Sequence, residues 1–433
     1  MALQQRIRKS VLLMRLVGYG VRTYYNAVVR RTVSAKLAAW FAAAPKASLT
    51  EADIKTIVIV GAAFSGYYAA RILASSLPRN GQYRIVVVEP NSHFNFTWVF
   101  PRFCVVEGHE HKAFIPYSAD FFAQGPKGMV NWIRDRVETV KKETVVLRSG
   151  NEVKYDYLII ATGSTVPGGL PSRAGGEDRE GGMERLRAMQ ARIKNATHIV
   201  VAGGGAAGVE LATDAKDLYP DKSVALVHSR QALMHRFSSG LQQGTAEAMT
   251  RLGVEVVLNE KVDPASADGK TITLSSGRQL ECDCFPASGL IAELAPHTIT
   301  ESGHIRVKPT LQIDDDSLPN VYVSGDVAAA HARNANSRIA ARQGEIAADN
   351  IVLAIRGKAP SRTYKEEWGD EVIKLTLGLV GGSLHDRSIT QFWDGNEELL
   401  FPHKDSDLAL MCDGAWSALG AKPFEDTGVY TAA

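Results

Sequence analysis

The sequence predicts an α/β fold of two sheet-and-helix units, followed by a small α+β region and preceded by an amphipathic helix. Three observations predict it. The apolar run Thr56-Ile57-Val58-Ile59-Val60 leads into Gly61-Ala62-Ala63-Phe64-Ser65-Gly66, and His198-Ile199-Val200-Val201-Ala202 leads into Gly203-Gly204-Gly205-Ala206-Ala207-Gly208. A third strand-like run, Val321-Tyr322-Val323, ends in Ser324-Gly325-Asp326 ahead of an Ala-rich helical stretch. Each Gly-rich turn sits between a short buried strand and a helix, so backbone N–H groups and the positive helix end converge on a pyrophosphate. Both units therefore read as Rossmann-like dinucleotide-binding domains, and two dinucleotides imply electrons moving between them.

Residues 1–50 form the leading element. They hold nine Lys or Arg and no acid, and Leu3, Ile7, Met14, Val17, Val21 and Tyr25 recur at helical spacing opposite a stripe of Arg8, Arg15 and Arg22. Gly18 and Gly20 weaken this helix, and Arg15 and Arg22 interrupt any run of the ~20 apolar residues a spanning helix needs. Three readings stay open: a helix lying on a membrane surface, a mitochondrial import signal, or a helix packed on the rest of the fold with its basic side in solvent.

The first unit is expected over residues 55–190, completed by 305–360. Its turn offers Gly61, Ala63 and Gly66 to a dinucleotide; Ala63 departs from the full G-x-G-x-x-G pattern where the backbone comes nearest the phosphates. Glu89 closes the second strand, where a carboxylate accepts both hydroxyls of an adenosine ribose. Val137–Val140, Thr144–Leu147 and Val153–Tyr155 read as short antiparallel strands. The strand ending in Ile160-Ala161-Thr162-Gly163 breaks into small residues that let the chain pass beneath a bound dinucleotide. Asp326 reads as a ligand for a sugar-alcohol chain, as an N-cap of the next helix, or as both.

The second unit is expected over 191–304 and carries the complete fingerprint, Gly203, Gly205 and Gly208. Its second strand ends in Val227-His228-Ser229-Arg230 with no acid, which favours a ribose 2′-phosphate or tolerance of both coenzymes, with His228 and Arg230 as the contacts. A weaker echo of the small-residue turn runs from Cys284 to Gly289. Residues 361–433 are expected to form a cap or interface domain with a strand over Val372–Leu377.

Composition narrows the function. A net charge of +2 over 433 residues gives no general pull toward nucleic acid, and 45% hydrophobic residues fill two or three cores. Cys104, Cys282, Cys284 and Cys412 lack the close dithiol spacing of a disulfide reductase and the ligand spacing of a zinc site, so no metal is expected. No F-x-G-x-x-x-H stretch of flavin monooxygenases lies between the fingerprints.

The order of Gly-rich turn, Glu89, Ala161-Thr162-Gly163, second Gly-rich turn and Gly325-Asp326 resembles the two-dinucleotide-domain flavoproteins, the superfamily of glutathione reductase and type II NADH dehydrogenases. Ile160–Thr165, Gly203–Glu210, Tyr219–Lys222 and Leu226–Ser229 resemble its apoptosis-inducing-factor-like, ferroptosis-suppressor-like branch of FAD-dependent pyridine nucleotide oxidoreductases. The resemblance spans about residues 55 to 400. It implies an FAD set of Gly61, Ala63, Gly66, Glu89, Arg102, Thr162, Gly163 and Asp326, and an NADPH or NADH set of Gly203, Gly205, Gly208, His228, Arg230 and Gly289. It also places Glu210 near nicotinamide and flavin, and Gln343, within Ile339–Ala347, beside a quinone. The implied activity is NAD(P)H-to-quinone electron transfer at a mitochondrial or other intracellular membrane surface, with a cytoplasmic location and a homodimer as further possibilities. The alternative class is a redox-sensing interaction protein with slow turnover. Ala2 stands where N-myristoylation needs Gly, so any attachment falls to the helix itself.

Overall fold

The computed structural model describes residues 2–25, 49–117, 128–164, 170, 177–285, 298–300, 303–330, 335–379, 387–404 and 407–421. Gly289 and the end of its turn lie outside them. In chain order the helices are α1 (Ala2–Tyr24), α2 (Phe64–Ser76), α3 (Phe100–Phe103), α4 (Arg179–Asn195), α5 (Ala206–Leu218), α6 (Ser239–Leu252), α7 (Ser337–Ile355) and α8 (Cys412–Ala418).

A parallel sheet orders its strands Val321–Val323, Tyr157–Ile160, Lys55–Val60, Tyr83–Val88 and Val130–Ile133. Its strands are continuous apolar runs because both faces are covered. Ile57, Ile59, Ile85 and Val87 meet Leu73 of α2 and Ala347 and Ile351 of α7, whereas Val58, Val60, Val86 and Val88 meet Val145 and Leu147 of the antiparallel Val137–Val140, Thr144–Leu147, Glu152–Lys154 sheet. A Cβ at Gly344 of α7 would overlap the Ser65 carbonyl oxygen of α2, so glycine permits the close crossing of these helices.

The second parallel sheet runs His198–Ala202, Ser223–His228, Glu255–Leu258. Ile199, Val201 and Leu226 share a core with Leu211 and Ala212 of α5, while Val200 and Val227 pack on Ile272 and Leu280 of a small antiparallel sheet. The strand Ile373–Thr376 begins a third, antiparallel sheet with Ser388–Trp393 and Glu398–His403. The C-terminal segment then turns back, and the Trp416 indole N–H donates to the Lys112 carbonyl at 3.0 Å.

One buried ion pair joins the three parts. Arg102 of α3 donates from Nε to Asp214 of α5 at 2.6 Å and from Nη2 at 3.2 Å, and its Nη2 also reaches the Gly378 carbonyl at 3.1 Å. Both side chains are at most 4% exposed. The Arg102 guanidinium is turned into this junction and is not on the cleft wall where an FAD contact would place it.

The arginines of α1, although about half exposed or more, pair with acids of the C-terminal part. Arg8 pairs with Glu397 at 3.4 Å, Arg15 with Asp394 at 2.6 Å and Arg22 with Glu367, while Leu12 is buried and Tyr19 packs on Trp368. The opposite face is open: Met14 is 65% exposed, Val17 61% and Val21 64%. The helix rests on the fold through Leu12, Tyr19 and these half-exposed ion pairs, and it leaves Met14, Val17 and Val21 uncovered. No helix among the described residues is long and apolar enough to cross a membrane.

Removing one partner from the buried pair strands the other charge, a loss of about 3–5 kcal/mol. Asp214→Ala should lower stability by that amount in urea unfolding, and Arg102→Met/Asp214→Leu should recover most of it. Equal losses in single and double variants would mean that the site needs the charges themselves.

Candidate functional site

A continuous cleft of about 1340 Å³ runs between the two parallel-sheet units, and both Gly-rich turns open into it. Gly61, Ala63 and Ser65 line one end, and Gly205, Ala206 and Glu210 line the other, with Glu89, Thr162, Gly163 and Asp326 on the walls between. Gly61 takes φ +97° and Gly203 φ +109°, left-handed values that glycine adopts without strain.

Local structure makes both turns ready for an anion. Helices α4, α6 and α7 begin with side-chain caps from Asp178, Ser238 and Asn336, which accept the N–H groups of Gly181, Leu241 and Ile339. Helices α2 and α5 begin at Ala63 and Gly205 with no side-chain cap, so their first N–H groups stay available at the cleft. Space is open where a Cβ would stand at Gly163, Gly203 and Gly205. These features fit two dinucleotides, FAD over the first turn and NAD(P)H over the second.

Glu89 sits at the predicted place but is already engaged. Its carboxylate accepts the Ala62 N–H at 2.8 Å, the Asn91 N–H at 2.9 Å and the Asn91 side-chain amide at 2.6 Å. Three of about four acceptor sites are thus used by the protein, which leaves room for one ribose hydroxyl where the sequence reading expects two. Burial pushes its pKa up, against the pull of the three N–H donors.

Asp326 lies on the cleft wall near Ser164. It is not an N-cap, because α7 starts at Ser337 under Asn336. Gln343 is buried, and its Oε1 accepts the Gly325 N–H at 2.8 Å. That bond shapes the Gly325-Asp326 turn, and Gln343 itself is not among the lining residues, so it reaches the cleft through the turn rather than by direct contact.

Glu210 lines the cleft from the first turn of α5. Both the N–H and the hydroxyl of Thr376 donate to its Oε1, at 3.1 and 3.0 Å. Burial pushes its pKa up to about 7; the Thr376 N–H opposes this, and the nearby Asp214 charge adds to it.

At the second strand tip the His228 ring is buried against Gly204, whereas Arg230 is exposed and outside the cleft lining. The side chains that do line the cleft beside this turn are His235 and Arg236, which the sequence reading passes over. It also passes over Trp98, whose ring stacks with Phe64 at 6.3 Å, and over Leu410 and Met411, both at positive φ. The aromatics at every second position, Phe94, Phe96 and Trp98, are the available signal for Trp98; nothing local marks Leu410 or Met411.

The sequence pattern of the family described as pyridine nucleotide-disulphide oxidoreductase matches residues 55–344. Among related proteins, Fe-regulated protein 8 of Mycosarcoma maydis is 33% identical over 374 residues, 80% of this chain and 91% of that protein. Ferroptosis suppressor protein 1 of Homo sapiens is 29% identical over 342 residues, 75% of this chain and 87% of its own length. Among solved structures, the sulfide:quinone oxidoreductase of Aquifex aeolicus superposes with a TM-score of 0.67 at 15% identity, covering 84% of this chain and 90% of that one.

The raised pKa of Glu210 has a sign that stability measurements read. Its carboxyl keeps its proton to about pH 7 when folded and to about 4.5 when unfolded, so its contribution is full below pH 4.5 and is lost as pH rises through 7. Glu210→Gln, which cannot ionise, should therefore gain on the wild type by roughly 2–3 kcal/mol between pH 5 and pH 8 in urea unfolding. A gap that stays constant with pH would show that Glu210 ionises freely.

Proposed function

The chain belongs to the pyridine nucleotide-disulphide oxidoreductase family and is an FAD-dependent NAD(P)H oxidoreductase, and on that premise we propose that its acceptor is a quinone-type molecule met at a membrane surface. The observation that carries the acceptor assignment is the makeup of the cleft wall. No cysteine lines it, and all four thiols are buried; burial pushes Cys284 up to about 11 and Cys412 up to about 12, and raises Cys104 and Cys282 as well. A thiol held protonated does not exchange with a disulfide. Electrons from this site go to a diffusible acceptor.

The wall offers a flat apolar acceptor a place. Phe64, Trp98, Leu410 and Met411 present apolar surface, and Trp98 remains 45% exposed despite its size. Aromatic faces of this kind bind planar rings by offset stacking. The flavin, when bound, supplies the hydride and electron chemistry. The chain's own residues hold the two dinucleotides at the uncapped ends of α2 and α5. Reduction of a quinone to a quinol takes up one proton more than a hydride provides, and Glu210 holds a proton at its carboxyl near neutral pH, fixed in place by Thr376.

Membrane attachment is assigned to α1. Its exposed face carries Ile7, Val11, Met14, Val17 and Val21, and its Arg8, Arg15 and Arg22 are paired within the chain. Attachment through this face rests on apolar burial. It does not rest on attraction between the arginine stripe and anionic lipid, because those arginines are already paired.

Trp98→Ala should raise KM for a short-tailed quinone about tenfold, the loss of one aromatic contact of roughly 1–1.5 kcal/mol, and leave stopped-flow flavin reduction by NAD(P)H unchanged. An unchanged KM places the acceptor elsewhere. Val17→Asp/Val21→Asp should abolish co-flotation with uncharged phosphatidylcholine vesicles while a water-soluble quinone is still reduced. Wild-type flotation should persist in 0.5 M salt, at which charge-driven binding is largely screened; loss of flotation in salt would return the attachment to the cations.

A further inference from the structure

We propose that His235 reads the 2′-phosphate of NADPH, through a one-way chain of hydrogen bonds that starts at the Gly204 amide and passes through His228. The inference rests on the NAD(P)H assignment and is independent of the acceptor.

The direction of the chain follows from its first donor. The Gly204 backbone N–H lies 3.1 Å from His228 Nδ1, and a backbone amide only donates, so Nδ1 carries the lone pair. In the neutral ring the proton is then on Nε2. That Nε2 lies 3.3 Å from His235 Nδ1, which must accept, so the His235 proton is on its own Nε2. His235 lines the cleft beside Gly205 and Ala206. The chain therefore ends in an N–H donor next to the second Gly-rich turn, with its tautomer set by the fold.

Several features hold this geometry. A Cβ at Gly204 would come within 2.7 Å of His228 Cγ, so the ring packs on bare backbone. Met234, just before His235, takes φ +51° and donates its N–H to the Gly204 carbonyl at 2.8 Å. A methionine in the left-handed region is strained, and such strain gathers at ligand clamps. Gly204 is thus held at its N–H by His228 and at its carbonyl by Met234, the residue just before His235.

The surroundings suit an anion. Arg230 acts on both imidazoles and Arg236 on His235; with burial as the larger cause, they hold both rings below the usual histidine range. Both rings are then neutral at pH 7.5 and the chain is intact, while the arginines supply positive charge. Arg230, which the sequence singles out, belongs to this group as a neighbour of the two rings. The tip of the second strand is where a dinucleotide fold meets the adenosine ribose, so the group reached is its 2′-substituent.

The test uses FAD-loaded protein and needs no turnover. Adenosine 2′,5′-bisphosphate and adenosine 5′-monophosphate are titrated calorimetrically. His235→Ala, an exposed change, should weaken the bisphosphate about tenfold, the loss of one hydrogen bond to a charged group, and leave the monophosphate within twofold. His235→Gln, which keeps an N–H donor, should restore most of the bisphosphate affinity. In long-range ¹⁵N spectra at pH 7.5 both rings should show an unprotonated Nδ1 and a protonated Nε2. Unchanged bisphosphate binding, equal weakening of both nucleotides, or a protonated Nδ1 on either ring would overturn the proposal.

Discussion

The buried pair of Arg102 and Asp214 is the joint on which the arrangement of the two nucleotide units depends. Helix α3 brings the cation from the first unit, α5 brings the acid from the second, and the Gly378 carbonyl adds the C-terminal segment. Desolvating both charges is costly, and only this bidentate geometry with its extra carbonyl offsets that cost. A displaced unit would leave a charge bare in the interior. The relative position of the two Gly-rich turns is therefore held by an interaction that tolerates little displacement.

The same helix extends the joint into a row. Glu210, Asp214 and Asp217 lie on one side of α5; Glu210 takes two donors from Thr376, and Asp217 takes the Leu379 N–H at 2.6 Å and Arg387 at 2.9 Å. Arg102 serves Asp214, so Glu210 has hydrogen-bond donors but feels the neighbouring negative charge as well as burial. This is why one acid of the row stays ion-paired and structural while the one at the cleft is held near neutrality. A structural joint and a proton-holding group come from a single helix face.

Helix α1 reaches the cleft from outside in a similar way. Its Arg22 shares Glu367 with Arg342 of α7, and Arg342 pairs with Asp370 at 2.5 Å. Tyr19 lies where a side chain at Gly369 would have to stand. The turn Trp368–Glu371 between them leads into Glu371, Val372 and Ile373 on the cleft wall. An element that carries no nucleotide motif thus braces the wall of the site, because ion pairs and an aromatic contact connect it to the helix beside the flavin turn.

The sequence by itself determined the elements whose causes are local. A run such as Thr56–Val60 followed by Gly61 allows little other than a buried strand, a left-handed turn and a helix, and the places of Glu89, Gly163 and Glu210 follow from their distance along those elements. The tertiary structure decided what each polar group faces. Arg102 finds Asp214 across 112 positions, Gln343 turns to the Gly325 amide, and the arginines of α1 face protein acids while its apolar side faces outward. His235 gains its place only because the loop after the second strand folds back on Gly204. Periodicity reports which residues share a face, but desolvation and pairing choose what that face meets, and those depend on partners far away in the chain.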